Sequence, residues 1–138
     1  MTTTGSAEVL VDTSAWIDYF RRQEPLHAMV ARLLEEDRIC GLGLILGELL
    51  QGAKGEAEQA VLRGFPDVFP FVTETARLWI AAGELAANLR RQGKTVGLAD
   101  CFIAVAARER GAAILTGDRH FIWLQEATGV DLLQPTVG

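Results

Sequence analysis

Glu8-Val9-Leu10-Val11-Asp12, followed at once by Thr13-Ser14, is the stretch on which the fold turns. A short branched apolar run that halts at an acid and two hydroxyl residues reads as a buried strand handing over to a helix. Ser14 is placed to cap a helix over Ala15 to Arg22. A second run of this kind, Ala112 to Thr116, ends in Gly117-Asp118 and leads into a helix that reaches about Ala127. Helical spacing fills most of the chain between them. Leu26, Met29, Val30, Leu33 and Leu34 share one helix face, and Leu44 to Ala53 is an apolar helix followed by a more exposed one over Gly55 to Arg63. Leu78, Ala82, Leu85 and Leu89 stripe a long helix stopped by Gly93, and Leu98 to Arg110 is another, stopped by Gly111. Further short strands are expected over Arg38 to Gly41, Pro66 to Val72 and Asp131 to Leu133, with Thr73 capping the long helix. Short apolar strands alternating with helices imply an α/β fold whose parallel sheet is covered on both faces.

The chain of 138 residues fits one domain, 1–138, with a core spanning about 8–135 and no internal repeat or linker. Its longest uncharged apolar run, Ile39 to Gly47, falls far short of the ~20 residues a membrane span needs. Met1 to Ala7 carry neither basic charge nor a long apolar stretch, so no signal peptide is read and a cytoplasmic location is expected. Cys40 and Cys101 sit in apolar segments without a CxxC partner, which points to buried thiols rather than zinc ligands. With 13 Lys and Arg against 18 Asp and Glu, the formal net charge is −5. That balance argues against a protein that grips nucleic acid through a broad basic surface. Any nucleic-acid chemistry must rest on a local site and on bound cations.

The informative feature is where certain acids fall. Asp100 is the only charged residue from Val96 to Ala107, and Glu48 the only one from Ile39 to Leu50. Both lie on helices that are apolar nearly all round, so they are expected to be partly buried. An ionised carboxylate buried without a partner costs several kcal/mol, and neither acid has a basic residue within one helical turn. Asp12 and Asp118 each sit just past a strand, at the carboxyl edge where open parallel sheets bind ligands. Four carboxylates in one pocket would repel and raise one another's pKa unless a cation joined them. All-oxygen donors suit Mg²⁺ or Mn²⁺, ions that hold a phosphate oxygen and activate water, so the set points to phosphodiester hydrolysis. Each acid also has a plainer use: Asp12 and Asp118 as helix caps, Glu48 and Asp100 as partners of distant arginines.

These residues carry a family likeness. Val11-Asp12-Thr13-Ser14-Ala15-Trp16-Ile17, Gly47-Glu48-Leu49, Gly97-Leu98-Ala99-Asp100-Cys101-Phe102-Ile103-Ala104 and Leu115-Thr116-Gly117-Asp118-Arg119-His120-Phe121 stand in order along the chain. From Val9 to about Pro135 the sequence resembles the PIN-domain nucleases, in particular the VapC-type toxins of prokaryotic toxin–antitoxin pairs. The resemblance implies a five-stranded parallel sheet flanked by helices and an acidic pocket holding Mg²⁺ or Mn²⁺. It implies endoribonuclease activity on RNA, a homodimer, and inhibition by a VapB-like antitoxin that inserts a peptide near the pocket. Carried over residue by residue, Asp12, Glu48, Asp100 and Asp118 form the acidic set. Asp12, Asp100 and Asp118 would hold the metal directly or through water, and Glu48 would complete the shell or orient the attacking water. Thr13 or Ser14, together with Thr116, would be supporting hydroxyls that orient a metal-bound water or a phosphate.

Other residues invite weaker assignments. His120 reads as an exposed helix residue before it reads as a catalyst, and Trp16, Trp79 and Trp123 as core or interface residues. Arg21, Arg22, Arg90, Arg91, Lys94, Arg108 and Arg119 are candidates for a local basic rim. A haloacid-dehalogenase-like phosphatase would need a second aspartate at position 14, where this chain has Ser. A phosphorylation receiver would need a late lysine, and the only lysines are Lys54 and Lys94. A PIN-domain nuclease of RNA processing and a non-catalytic interaction module remain as alternatives to the toxin.

Overall fold

The computed structural model describes residues 7–133 and 135. Twelve elements follow one another: β1 (Val9–Val11), α1 (Thr13–Phe20), α2 (Leu26–Glu35), β2 (Ile39–Cys40), α3 (Gly43–Gln51), α4 (Glu56–Arg63), α5 (Phe65–Val68), α6 (Ala76–Arg91), α7 (Leu98–Arg110), β3 (Ala113–Leu115), α8 (Phe121–Thr128) and β4 (Leu132–Leu133). All strand pairs are parallel, in the order β2-β1-β3-β4. Leu10 stands opposite Cys40 on one side and Ile114 on the other. Val9, Leu10 and Val11 are almost fully buried, as a strand packed on both faces must be.

The described residues form four strands where five were expected. The missing one lies in the Pro66 to Val72 segment, whose first half is α5 instead. Phe65-Pro66-Asp67-Val68 has proline at the helix start and aspartate in the first turn, two features that favour a helical turn over an extended run. What survives of the strand is a single parallel bridge between Gly41 and Phe71. Gly41 N–H donates to the Pro70 carbonyl at 2.7 Å, and Val72 N–H donates to the Gly41 carbonyl at 2.8 Å. A Cβ on residue 41 would stand 2.6 Å from the Phe71 ring, which would have to shift to admit it.

Two cap assignments also shift. The long helix α6 is capped by Thr75, whose Oγ1 accepts from Leu78 N–H at 3.3 Å, and not by Thr73. Ser14 lies inside the first turn of α1, and Asp12 occupies the cap position instead. The expected stops hold: Gly93 and Gly111 follow α6 and α7 with φ of +80° and +75°, a left-handed conformation that glycine adopts freely.

The core runs between the sheet and its helices. In α7 every residue from Cys101 to Ala107 is buried, and α6 packs along it with Trp79 stacked on Phe102 at 3.7 Å between ring centroids. Trp16 anchors an aromatic cluster with Tyr19, Phe20, Phe65 and Phe69. A bidentate ion pair of Arg110 with Glu8, at 2.7 and 3.1 Å, ties the end of α7 to the start of β1. Since β2 and β3 lie on opposite sides of β1, the strand order reverses between β1 and β3. Ligands of open α/β sheets bind at the carboxyl ends of such strands.

Candidate active site

Asp12 follows β1 and Thr116 follows β3, so the sheet itself brings them together at that crevice. They are the two polar residues buried among the described residues, Asp12 at 5% exposure and Thr116 at 1%. Thr116 Oγ1 donates to Asp12 Oδ2 at 2.8 Å, and Ser14 Oγ donates to the same oxygen at 3.1 Å. Although Asp12 holds the cap position of α1, its side chain makes no capping hydrogen bond. The plainer use of this residue therefore fails. Burial raises the Asp12 carboxyl above its ordinary range, against the pull of Thr116, the Thr13 backbone and Ser14, and the Glu48 charge adds to the rise.

A relay extends from this oxygen. Gly117 N–H donates to Ser14 Oγ at 3.2 Å, and Asp118 N–H donates to Thr116 Oγ1 at 3.0 Å. Asp118 does double duty: its Oδ1 accepts from His120 N–H at 2.9 Å, closing the turn into α8, and lies 3.1 Å from His120 Nδ1. Glu48, on α3, accepts a short 2.6 Å hydrogen bond from Thr13 Oγ1. Each of the three hydroxyls named from the sequence donates to one of the acids.

Asp100 sits in the first turn of α7, whose amino end favours negative charge. Even so, burial pushes its carboxyl up to about 6, with Asp12, Asp118 and Glu48 adding repulsion and His120 offsetting part of it. Asp100 is thus within electrostatic reach of all three other acids. Among the described residues, no Lys or Arg forms an ion pair with any of them. The distant-arginine use of Glu48 and Asp100 finds no partner there.

The basic rim is only partly realised. Arg119 lines a cavity with Thr116, Gly117 and Asp118, and Arg21 lines another with Glu48. Arg108 stands eight residues beyond Asp100 on α7, about 12 Å along the helix axis, so it is remote. Lys54, on the wall of the Glu48 cavity, is a neighbour of the site that no sequence pattern marked.

Comparison with known proteins fits this arrangement. The PIN domain family profile matches residues 9–125. The chain is 36% identical over 118 residues to Ribonuclease VapC11 of Mycobacterium tuberculosis, covering 82% of this chain and 88% of the relative. It is 34% identical over 89 residues to the tRNA(fMet)-specific endonuclease VapC of Shigella flexneri, covering 62% and 67%. Among solved structures, DNA-bound VapBC from Salmonella typhimurium aligns with a TM-score of 0.73 at 24% identity, covering 93% of this chain and 98% of that one. The chain belongs to the PIN-domain family of nucleases. Within that family its relatives are of the VapC type.

Proposed function

We propose that this protein is a divalent-metal-dependent endoribonuclease and the toxin of a type II toxin–antitoxin pair. The observation that carries the reading is the buried Asp12, held by Thr116 and Ser14 at the sheet's reversal point, with Asp100 raised to about 6 by burial and by the charges of Asp12, Asp118 and Glu48. Such repulsion is tolerated where a cation belongs. The donors on offer are carboxylates and hydroxyls, which suit Mg²⁺ or Mn²⁺, whereas Cys40 and Cys101 are buried in the core. Among the described residues, no three His, Cys, Asp or Glu side chains close on a point as ready ligands. Asp12, Asp100 and Asp118 would therefore hold the ion partly through water, as suits Mg²⁺, which keeps several of its waters.

Bound there, the ion supplies Lewis acidity at a phosphate oxygen and lowers the pKa of water. The protein's own residues do the positioning. Thr116 and Ser14 fix the Asp12 carboxylate through Oδ2, and Thr13 holds Glu48, which would complete the shell or orient the attacking water. Thr116 also receives the Asp118 backbone N–H, so one buried hydroxyl sets the relative placement of two acids. Preorganisation of this kind is what lets a charged site act without rearranging at each turnover.

The assignment to RNA draws on relatives named ribonuclease and endonuclease, and the toxin role on VapBC complexes among the structural neighbours. A VapB-like antitoxin and a second copy of the chain are the partners this implies. No helix among the described residues is long and apolar enough to cross a membrane, and the proposed place of action is the cytoplasm, where the RNA is. The test is incubation with mixed transfer and ribosomal RNA in Mg²⁺, Mn²⁺ or EDTA, beside Asp100→Asn. Discrete fragments that need the metal and vanish in the variant are expected. Equal cleavage by the variant, or cleavage indifferent to EDTA, would overturn the reading.

A further inference from the structure

A cavity of about 130 Å³ opens directly beside Glu48, between α1, α3 and α4. It is small against the roughly 300–1,000 Å³ of drug-sized sites, a scale suited to one ring system. Its floor is apolar, made by Ile17, Phe20 and Leu49, and its rim carries Arg21 and Lys54. Phe20 is half-buried and held from behind by Trp16 and Phe65, at 6.1 and 6.4 Å between ring centroids. Both rim cations are exposed, and among the described residues neither joins an ion pair, unlike Arg32, Arg38, Arg63 and Arg110.

We propose that this cavity receives the base of a nucleotide next to the cleaved phosphodiester, with Arg21 and Lys54 holding the flanking phosphates. The inference rests on the nuclease reading above and adds to it a place where the strand is held. Three observations support RNA as the occupant. The cavity shares Glu48 with the acidic cluster, so a strand passing the acids reaches it without a gap. An aromatic face backed by other rings is what a splayed base stacks on in single-stranded recognition. Arg21 and Lys54 stand together on one rim, exposed and outside any ion pair among the described residues, and phosphates are natural counter-ions for two such cations. The Glu58 carboxylate, on the wall across α4, offers acceptors only and so favours a base edge that presents an amino or ring N–H group.

A second cavity, lined by Thr116, Gly117, Asp118 and Arg119, follows β3, whereas the Glu48 cavity is lined from α1, α3 and α4. The strand would then run along the carboxyl edge of the sheet, crossing the acidic cluster at its middle.

The test uses the full chain carrying Asp100→Asn, so that RNA is not consumed, and a fluorescent single-stranded RNA of randomised sequence, about a dozen nucleotides long. Anisotropy titrations at several salt concentrations compare it with the same chain carrying Arg21→Ala and Lys54→Ala in addition. Both added substitutions are at exposed positions, and equal melting curves establish that the fold is kept. Expected is about ten-fold weaker binding, with the slope of log K against log salt falling by about 1.4, or 0.7 for each lost phosphate contact on a single strand. Iodouridine in the same RNA should photo-crosslink to the peptides containing residues 17–21 or 48–54. Unchanged affinity and slope, with crosslinks elsewhere, would overturn the cavity while leaving the nuclease intact. That result would instead leave the groove to a peptide segment of a protein partner. No RNA binding by the Asp100→Asn chain, together with no cleavage by the wild-type chain in Mn²⁺, would overturn the nuclease reading and this inference with it.

Discussion

Asp100→Asn should stabilise the metal-free protein while abolishing its activity. In the folded chain the Asp100 carboxyl is pushed from 3.8 up to about 6 by burial and by Asp12, Asp118 and Glu48. The rise means that the ionised form is penalised in the native state relative to the unfolded one. At about 1.4 kcal/mol for each tenfold change, the penalty for a fully enclosed group would approach roughly 3 kcal/mol. Asp100 is only half-buried, and solvent screening reduces this to about 1–2 kcal/mol. The sign follows from proton counting. Between about pH 4 and pH 6 the native state holds a proton that the unfolded chain has lost, so stability falls as pH rises through that window. Above about pH 6 the penalty is complete, and below about pH 4 it is absent. Asparagine keeps the shape and removes the charge. Thermal and urea unfolding in EDTA should therefore show the variant melting roughly 3–8 °C above wild type near neutral pH, with the gap closing toward pH 4. Added Mn²⁺ should raise the wild-type melting temperature more than that of the variant. A variant no more stable than wild type at neutral pH, or an advantage that persists at pH 4, would refute the reasoning.

Other perturbations test separate parts of the structure. Thr116→Val removes the donor to a buried carboxylate and the acceptor of the Asp118 N–H. It should lower stability by about 1–3 kcal/mol in urea unfolding and cut single-turnover cleavage at least ten-fold, with the RNA dissociation constant little changed. Gly41→Ala drives a methyl group against the Phe71 ring, and a loss of about 1–3 kcal/mol by chemical denaturation is expected. Burial pushes the Cys40 and Cys101 thiols up to about 11, so neither should react with a thiol-labelling reagent at neutral pH until denaturant is added. Prompt labelling of either in the native protein would contradict the packing described for β2 and α7.

Much of this architecture is legible in the chain because two signals coincide. The α7 boundaries could be read from Leu98 to Arg110 because a long apolar stretch ends on a glycine that must take positive φ. The same stretch exposes Asp100, since a lone charge among apolar residues has no local reason to be there. Glu48 stands out likewise. Where signals compete, the reading fails. Phe65 to Val72 contains β-prone residues and a proline–aspartate pair, and the turn-forming pair prevails in its first half. Thr73 and Thr75 are both good caps in isolation, and α6 begins after Thr75, whose Oγ1 meets the Leu78 N–H. The Glu48 cavity is illegible for a deeper reason. Its lining comes from segments far apart in the chain, and no local pattern brings Lys54 and Arg21 to one cavity.

The remnant of a strand at Gly41 and Phe71 bears on how this molecule behaves in a crowded solution. A parallel sheet only a few residues deep has two rims of unused backbone donors and acceptors, each a template on which a foreign strand can grow. At the β2 rim the template is occupied, since the segment carrying Pro70 and Val72 has taken both hydrogen-bonding groups of Gly41. At the other rim, among the described residues, β4 offers Leu132 and Leu133. So little free edge leaves few places for an unrelated strand to add to the sheet.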